Sequence, residues 1–209
     1  AYVLYPNIEP IDLAAIGVLS MGKRVIPELN YFLVSDTMDP CIFANGLKVL
    51  PDFTFANSPK SDYIIVPGGP GWPAASKNQT LLDYLKESID SKIFSLCTGA
   101  MILAESGLLK NHTVTTKNQV VPPEISPLTI LSEKYENIKA IPAMIVDSGR
   151  ILTGGGVSLC IDTVLYVLEK NFGKQKVSEI SRMTSCALCN QCASVQKLKV
   201  WGNTMLTYK

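Results

Sequence analysis

The sequence predicts an α/β fold, an open and mostly parallel sheet covered on both faces by helices. Short apolar runs at Ala1–Tyr5, Asn30–Ser35, Tyr63–Val66 and Lys92–Leu96 alternate with stretches of helical period, as strand–helix units do. Runs such as AYVLY and YIIV carry no polar alternate face, which suits strands buried on both sides. Cys97 is the third observation. It sits where an apolar strand runs straight into a helical segment, in KIFSLCTGAMILAESGLL. Such a sharp turn holds a side chain at the open end of a sheet, the geometry of a nucleophile elbow. No repeat, low-complexity stretch or linker interrupts the pattern, so residues 1–209 read as one domain.

Taken in order, Ala1–Tyr5 is a strand closed by Pro6, and Ile11-Asp12-Leu13 leads into a helix over LAAIGVLSM. Asn30–Ser35 is the second strand. Cys41–Val49 reads as a hairpin turning at Asn45-Gly46, a dipeptide that readily supplies the positive φ of a tight turn. Tyr63–Val66 ends at Pro67-Gly68-Gly69-Pro70-Gly71, and an amphipathic helix follows from Thr80 to about Asp90. After the elbow, Met101, Ile102, Leu103, Leu108 and Leu109 recur at helical spacing. Val114-Thr115-Thr116 is β-like. The proline-rich stretch from Val120 to Pro127 is a loop that leads into a helix over Leu128–Lys134. Ile145–Thr153 reads as a hairpin around Ser148-Gly149. Gly154-Gly155-Gly156 then opens a helix that Gly173 stops, and a last helix runs from Lys174 into the low 190s.

Composition narrows the function. Nearly half of the 209 residues are apolar, enough to bury a substantial core. The net charge of +1 gives no electrostatic reason to expect nucleic acid or an anionic membrane as partner. No apolar run reaches the length of a membrane span, and no signal peptide precedes the first strand, so a cytoplasmic setting and a small-molecule substrate are expected. The six cysteines form no disulfide framework of the small secreted kind. The single histidine, His112, lies past the end of the helix that Cys97 begins, too far along the chain to serve the thiol as a base.

Three of the remaining signals fall at strand ends, where open α/β sheets bind their ligands. A thiol at Cys97 faces the start of a helix, whose N–H groups and dipole favour thiolate. Cys97 is equally readable as one of the buried core cysteines that proteins often carry. Asp12 reads either as an N-cap or as a general acid/base whose pKa is raised beside the thiol. Gly68, Gly69 and Gly71 present backbone that can aim N–H groups at a developing negative charge, although a strand-to-helix loop also needs glycine. Neither PGGPG nor GGG matches a nucleotide-binding fingerprint, so no cofactor is expected. Cys186, Cys189 and Cys192 form C-x2-C-x2-C, a spacing found in iron–sulfur ligation. On a continuous helix the three thiols would be too spread for one metal, and nothing nearby offers a fourth ligand. They read as packing cysteines, and no metal is expected.

Together, DYIIVPGGPG, SLCTGAMILAESGLLKNHTVTTK and GRILTGGGVSLCIDTVLYVLEKNFG resemble the ThiJ/PfpI family of the class I glutamine amidotransferase-like superfamily. The resemblance covers nearly the whole chain. It implies a flavodoxin-like three-layer α/β/α sandwich, a homodimer, and Cys97 as the elbow nucleophile. Proteolytic and amidase members carry histidine directly after the cysteine, whereas here the residue is Thr98. Cys-Thr-Gly-Ala instead resembles the isonitrile hydratase branch and the sensor domains of AraC-type regulators. In that branch an aspartate in an early D-L-x-G-P segment is the acid/base, a role the resemblance gives to Asp12. The Gly-Pro is replaced by Ala15-Ile16, the glutamate that often follows it is missing, and Lys117-Asn118 stand where the branch has His-Trp. The implied function is hydration of an isonitrile to an N-substituted formamide by Cys97 and Asp12, with Thr98 and the Gly69 backbone orienting the intermediate. The alternatives are a protease or amidase, a glyoxalase or deglycase, and a non-enzymatic redox or ligand sensor built on Cys97.

Overall fold

In the computed structural model, residues 1–184, 197–200 and 203–206 are described. Along the chain, β1 (Tyr2–Val3) is followed by a 3-10 turn over Pro10–Leu13, then α1 (Ala14–Gly22), β2 (Leu33–Ser35), β3 (Cys41–Ile42), β4 (Lys48–Val49), β5 (Phe53–Thr54) and β6 (Tyr63–Val66). Next come α2 (Trp72–Ala75), α3 (Gln79–Glu87), β7 (Lys92–Ser95), α4 (Gly99–Glu105), β8 (Thr113–Val114), α5 (Pro127–Lys134) and β9 (Lys139–Ala140). The last elements are β10 (Ile145–Asp147), β11 (Ile151–Gly154), α6 (Leu159–Phe172), α7 (Lys174–Met183), β12 (Lys197–Val200) and β13 (Asn203–Leu206).

Nine strands form one sheet in the order β12-β13-β10-β11-β7-β6-β1-β2-β5. From β11 to β5 every pairing is parallel, while β10, β13 and β12 extend the sheet antiparallel beyond β11. Helices α1, α6 and α7 pack together as one layer, and α2, α3 and α5 pack around α4 as another. This is the flavodoxin-like α/β/α sandwich. The central strands are inaccessible because both faces are covered: Ile64, Val66, Ile93 and Phe94 are buried, as are Ala100 to Leu103 above them and Val164 and Leu168 on α6. The apolar runs without alternation reflect that double burial.

Both expected hairpins form. β3 pairs with β4 across Asn45 (φ 61°) and Gly46 (φ 87°), and β10 pairs with β11 across Gly149 (φ 90°). The Asn78 side chain accepts the Leu81 N–H at 3.2 Å and starts α3 one residue earlier than its apolar pattern suggests. Several expectations need correction. The triple glycine does not open α6, which begins at Leu159. Gly154 closes β11, where a Cβ would lie 2.4 Å from Thr163 Oγ1. Helix α7 ends at Met183 with Thr184 as its C-cap, short of the low 190s. Cys186, Cys189 and Cys192 lie outside the described residues. Strands β5, β9, β12 and β13 and the single turn of α2 have no counterpart in the pattern reading. Two-residue strands are too short to show a period, and the four-residue β12 and β13 are short segments that pair with each other and, through β13, with β10.

Burial ranks the core positions. Leu96→Ala, at a fully inaccessible site under the elbow, is expected to lose about 2–5 kcal/mol, and Ile93→Val about 0.5–1.5 kcal/mol. Urea denaturation of both variants tests the order.

Candidate functional site

The site begins with a strand that stops too early to continue and too late to avoid its neighbour. Leu96 N–H still donates to Val66 O at 2.9 Å, in register with β6, and the next residue reverses the chain. Cys97 does so with φ 50°, a left-handed conformation that L-residues other than glycine adopt rarely. Gly99 N–H then bonds Leu96 O at 2.8 Å and α4 starts. Glycine is required here, because a Cβ at Gly99 would stand 2.1 Å from the Val66 carbonyl. Thr116 on the following segment donates its hydroxyl to Cys97 O at 2.7 Å and so pins the strained residue. The sequence marks Thr116 only as part of a β-like Val-Thr-Thr run, and its place beside Cys97 comes from the fold.

Asp12 approaches from the first strand's loop. It lies on the 3-10 turn before α1 and is completely buried. The N-cap reading fails, since Leu13 occupies the cap and no side chain bonds the first turn of α1. Instead Asp12 Oδ2 accepts the Gly68 N–H at 2.6 Å, while Oδ1 has no hydrogen-bond partner. Burial is the larger influence, and with Glu9 nearby it raises the carboxyl from 3.8 to about 7 against the pull of the Gly68 bond.

The glycine loop holds the two halves together. Gly69 N–H donates to Thr98 Oγ1 at 2.8 Å, and Gly71 N–H donates to Asn7 O at 3.0 Å. With Gly68 bonded to Asp12, all three N–H groups are already occupied. In this arrangement Gly68 and Gly69 position Asp12 and Thr98, and Gly71 ties the loop to Asn7. Their lack of side chains matters for proximity. A Cβ on Gly68 would lie 2.6 Å from Thr98 N and 2.8 Å from Cys97 Cβ, and one on Gly69 (φ 138°) 2.3 Å from Glu9 N. Tyr5 completes the floor by donating to Pro67 O at 2.7 Å.

Cys97 is buried, 3% exposed, and its thiol is pushed up from 9.0 to about 12. Desolvation is the main cause and the charge of Asp12 adds to it. The Thr98 N–H and hydroxyl and the Lys117 ammonium pull the other way without winning. The thiolate expected from the helix start is thus overruled by burial, and α4, only seven residues long, is a weak dipole. Cys160 is another buried thiol raised to about 12, chiefly by desolvation and then by Asp12, and its Sγ lies 3.6 Å from Ile11 O. It closes the GGGVSLC segment, where no spacing singles it out. His112 lies beyond the end of α4, just before β8, and is partly exposed with Nδ1 2.9 Å from Lys110 O. Among the described residues no cluster of three or more His, Cys, Asp or Glu could hold a metal ion, and no helix is long and apolar enough to cross a membrane.

Fold and site together define a class, α/β sandwiches with a cysteine at the elbow after a central strand and a buried carboxylate beside it. Residues 19–170 match the DJ-1/PfpI family, to which the chain belongs. It is 27% identical over 177 residues to the isonitrile hydratase of Pseudomonas putida, covering 82% of this chain and 71% of that one. It is 23% identical over 188 residues to the glutathione-independent glyoxalase DJR-1.2 of Caenorhabditis elegans, covering 86% and 92%. The structure of Drosophila melanogaster DJ-1beta shares the fold, with a TM-score of 0.75 at 20% identity over 89% of this chain and 96% of that one. A ThiJ/PfpI family protein from Pseudomonas syringae does so at a TM-score of 0.72 and 23% identity, over 89% and 74%.

A carboxyl whose pKa is raised on folding tilts stability with pH. Between about 4 and 7 the unfolded chain loses the Asp12 proton and the folded chain keeps it, so this group's contribution falls as pH rises and levels off above about 7. Asp12→Asn is expected to remove that slope. Urea midpoints at pH 5 and pH 8 should show the variant gaining on the wild type at the higher pH, and parallel pH dependences would refute a buried, raised carboxyl.

Proposed function

We propose that the protein is a cysteine-dependent hydratase that adds water to an isonitrile and releases an N-substituted formamide. The observation that carries this reading is the unpartnered, buried oxygen of Asp12, on a carboxyl that titrates near neutrality beside a protonated thiol. The similarity to the Pseudomonas putida isonitrile hydratase supports it.

Since Cys97 rests as a thiol, the reaction begins with proton transfer coupled to bond formation. As the sulfur attacks the isonitrile carbon, ionised Asp12 takes the thiol proton and passes it to that carbon, giving an S-linked thioimidate. Water then attacks the same carbon. One of its protons goes to Asp12, the other reaches nitrogen, and collapse of the adduct breaks the C–S bond. The departing sulfur recovers its proton from Asp12, which restores the starting state. Thr98 keeps the Gly69 loop against the elbow throughout, with its hydroxyl also 3.3 Å from Gly69 O. A small-molecule substrate and a homodimer complete the proposal.

The nematode glyoxalase, matched over 92% of its length, supports a second reading in which Cys97 attacks the aldehyde of a 2-oxoaldehyde. Turnover of a 2-oxoaldehyde but of no isonitrile would select it. The redox-sensor and amidase alternatives gain no support from a buried, protonated thiol without an adjacent histidine.

The hydratase reading expects Cys97→Ala to abolish turnover of a simple alkyl isonitrile and Asp12→Asn to lower it about 10²–10⁴-fold. Because Asp12 must be ionised to accept the thiol proton, kcat/KM should rise with pH and level off above about 7. A mass increase of one isonitrile on Cys97 in quenched reactions would identify the thioimidate. Full turnover by either variant would overturn the mechanism.

A further inference from the structure

A cavity of about 650 Å³ opens beside the elbow. Two of its wall residues tie it to the site: Thr116, which bonds Cys97 O at 2.7 Å, and Ile11, the chain neighbour of Asp12. Much of the rest is apolar, from Pro142, Ala143, Met144, Val157 and Leu159. Among the described residues Lys117 is the only charged one that lines it.

We propose that Lys117 forms a carboxylate-binding subsite in this cavity, so that the preferred substrate carries an acid group on a short apolar arm. The proposal rests on the hydratase reading for the reacting group and on the cavity for the rest. Lys117 Nζ lies 2.7 Å from both Glu124 oxygens, and its side chain is 21% exposed against 44% for Glu124. The glutamate therefore holds the ammonium from the solvent side and fixes its position. An ammonium has three donors, and Glu124 is its only hydrogen-bond partner among the described residues, so its inner side can still donate to a ligand. Glu124 offsets this charge in part, but from the more exposed side, so among the described residues the wall facing the cavity still favours a ligand anion over a neutral group. A carboxylate gains an ionic hydrogen bond in a partly desolvated setting, whereas the carbonyl of a neutral ester gains only a weaker one. The same ammonium pulls the Cys97 thiol downward, so its field reaches the reacting sulfur.

The test compares 4-isocyanobutanoate with its methyl ester. The wild type should show at least about a tenfold higher kcat/KM for the acid, as one charge-assisted hydrogen bond would give. Lys117→Arg should keep the preference, Lys117→Met should bring the two substrates to within about twofold, and Glu124→Gln should widen the gap by removing the competing carboxylate. Equal kcat/KM in the wild type, or a preference that survives in Lys117→Met, would overturn the subsite. Calorimetry separates it from the chemistry: 4-formamidobutanoate should bind the wild type at least about tenfold more tightly than N-butylformamide, and Lys117→Met should erase the difference. Charge-selective binding without turnover of any isonitrile would sink the hydratase reading and keep the subsite. Turnover with no charge selection in either assay would do the reverse.

Discussion

The hydrogen bond from Gly68 N–H to Asp12 Oδ2 is the constraint on which the site depends. It joins the loop after β1 to the loop after β6, and it forms only because the two strands are parallel neighbours with their carboxyl ends at the same edge. The same loop bonds Thr98 through Gly69, so first strand, glycine loop and elbow become one rigid unit. Each glycine in it stands where any larger residue would strike backbone, and the unit has no room to adjust.

Burial creates an electrostatic conflict inside that unit. An aspartate and two thiols share a desolvated space, and the charge of Asp12 adds to the burial that holds Cys97 and Cys160 protonated. Keeping the thiol protonated and the carboxyl near neutrality suits a reaction that moves one proton back and forth. It does not suit a surface thiolate that waits for oxidants. The strained φ of Cys97 and the raised carboxyl both oppose stability. The buried sheet and its two helical layers must outweigh them, as is usual for sites built for chemistry.

Most of this was legible in the chain where the physics is local. The strand runs, both hairpin turns and the elbow follow from apolar patterning and from glycine or asparagine at positive φ, and Cys97 and Asp12 were recognisable as strand-end residues. Non-local effects were not legible. Nothing in TTK shows that the Thr116 hydroxyl reaches the Cys97 carbonyl, and nothing in PGGPG shows that its N–H groups are already bonded within the protein. The direction of the Cys97 pKa depends on burial outweighing a short helix, a balance fixed by the completed core. Lys117 stood out only as a departure from a family pattern, and the cavity around it is assembled from four separate stretches of chain.

The positions that make the site, near residues 12, 68, 97 and 116, are spread over half the chain and meet only across parallel strands. Their proximity is made of contacts between distant parts of the chain, so it belongs to the whole fold rather than to any fragment. Before that point Cys97 is an ordinary accessible thiol, and afterwards it is sealed. Its accessibility to alkylating reagents therefore behaves as a clock for opening of the central sheet, and a chain that has lost its fold betrays itself by becoming more reactive at the elbow residue that its fold seals.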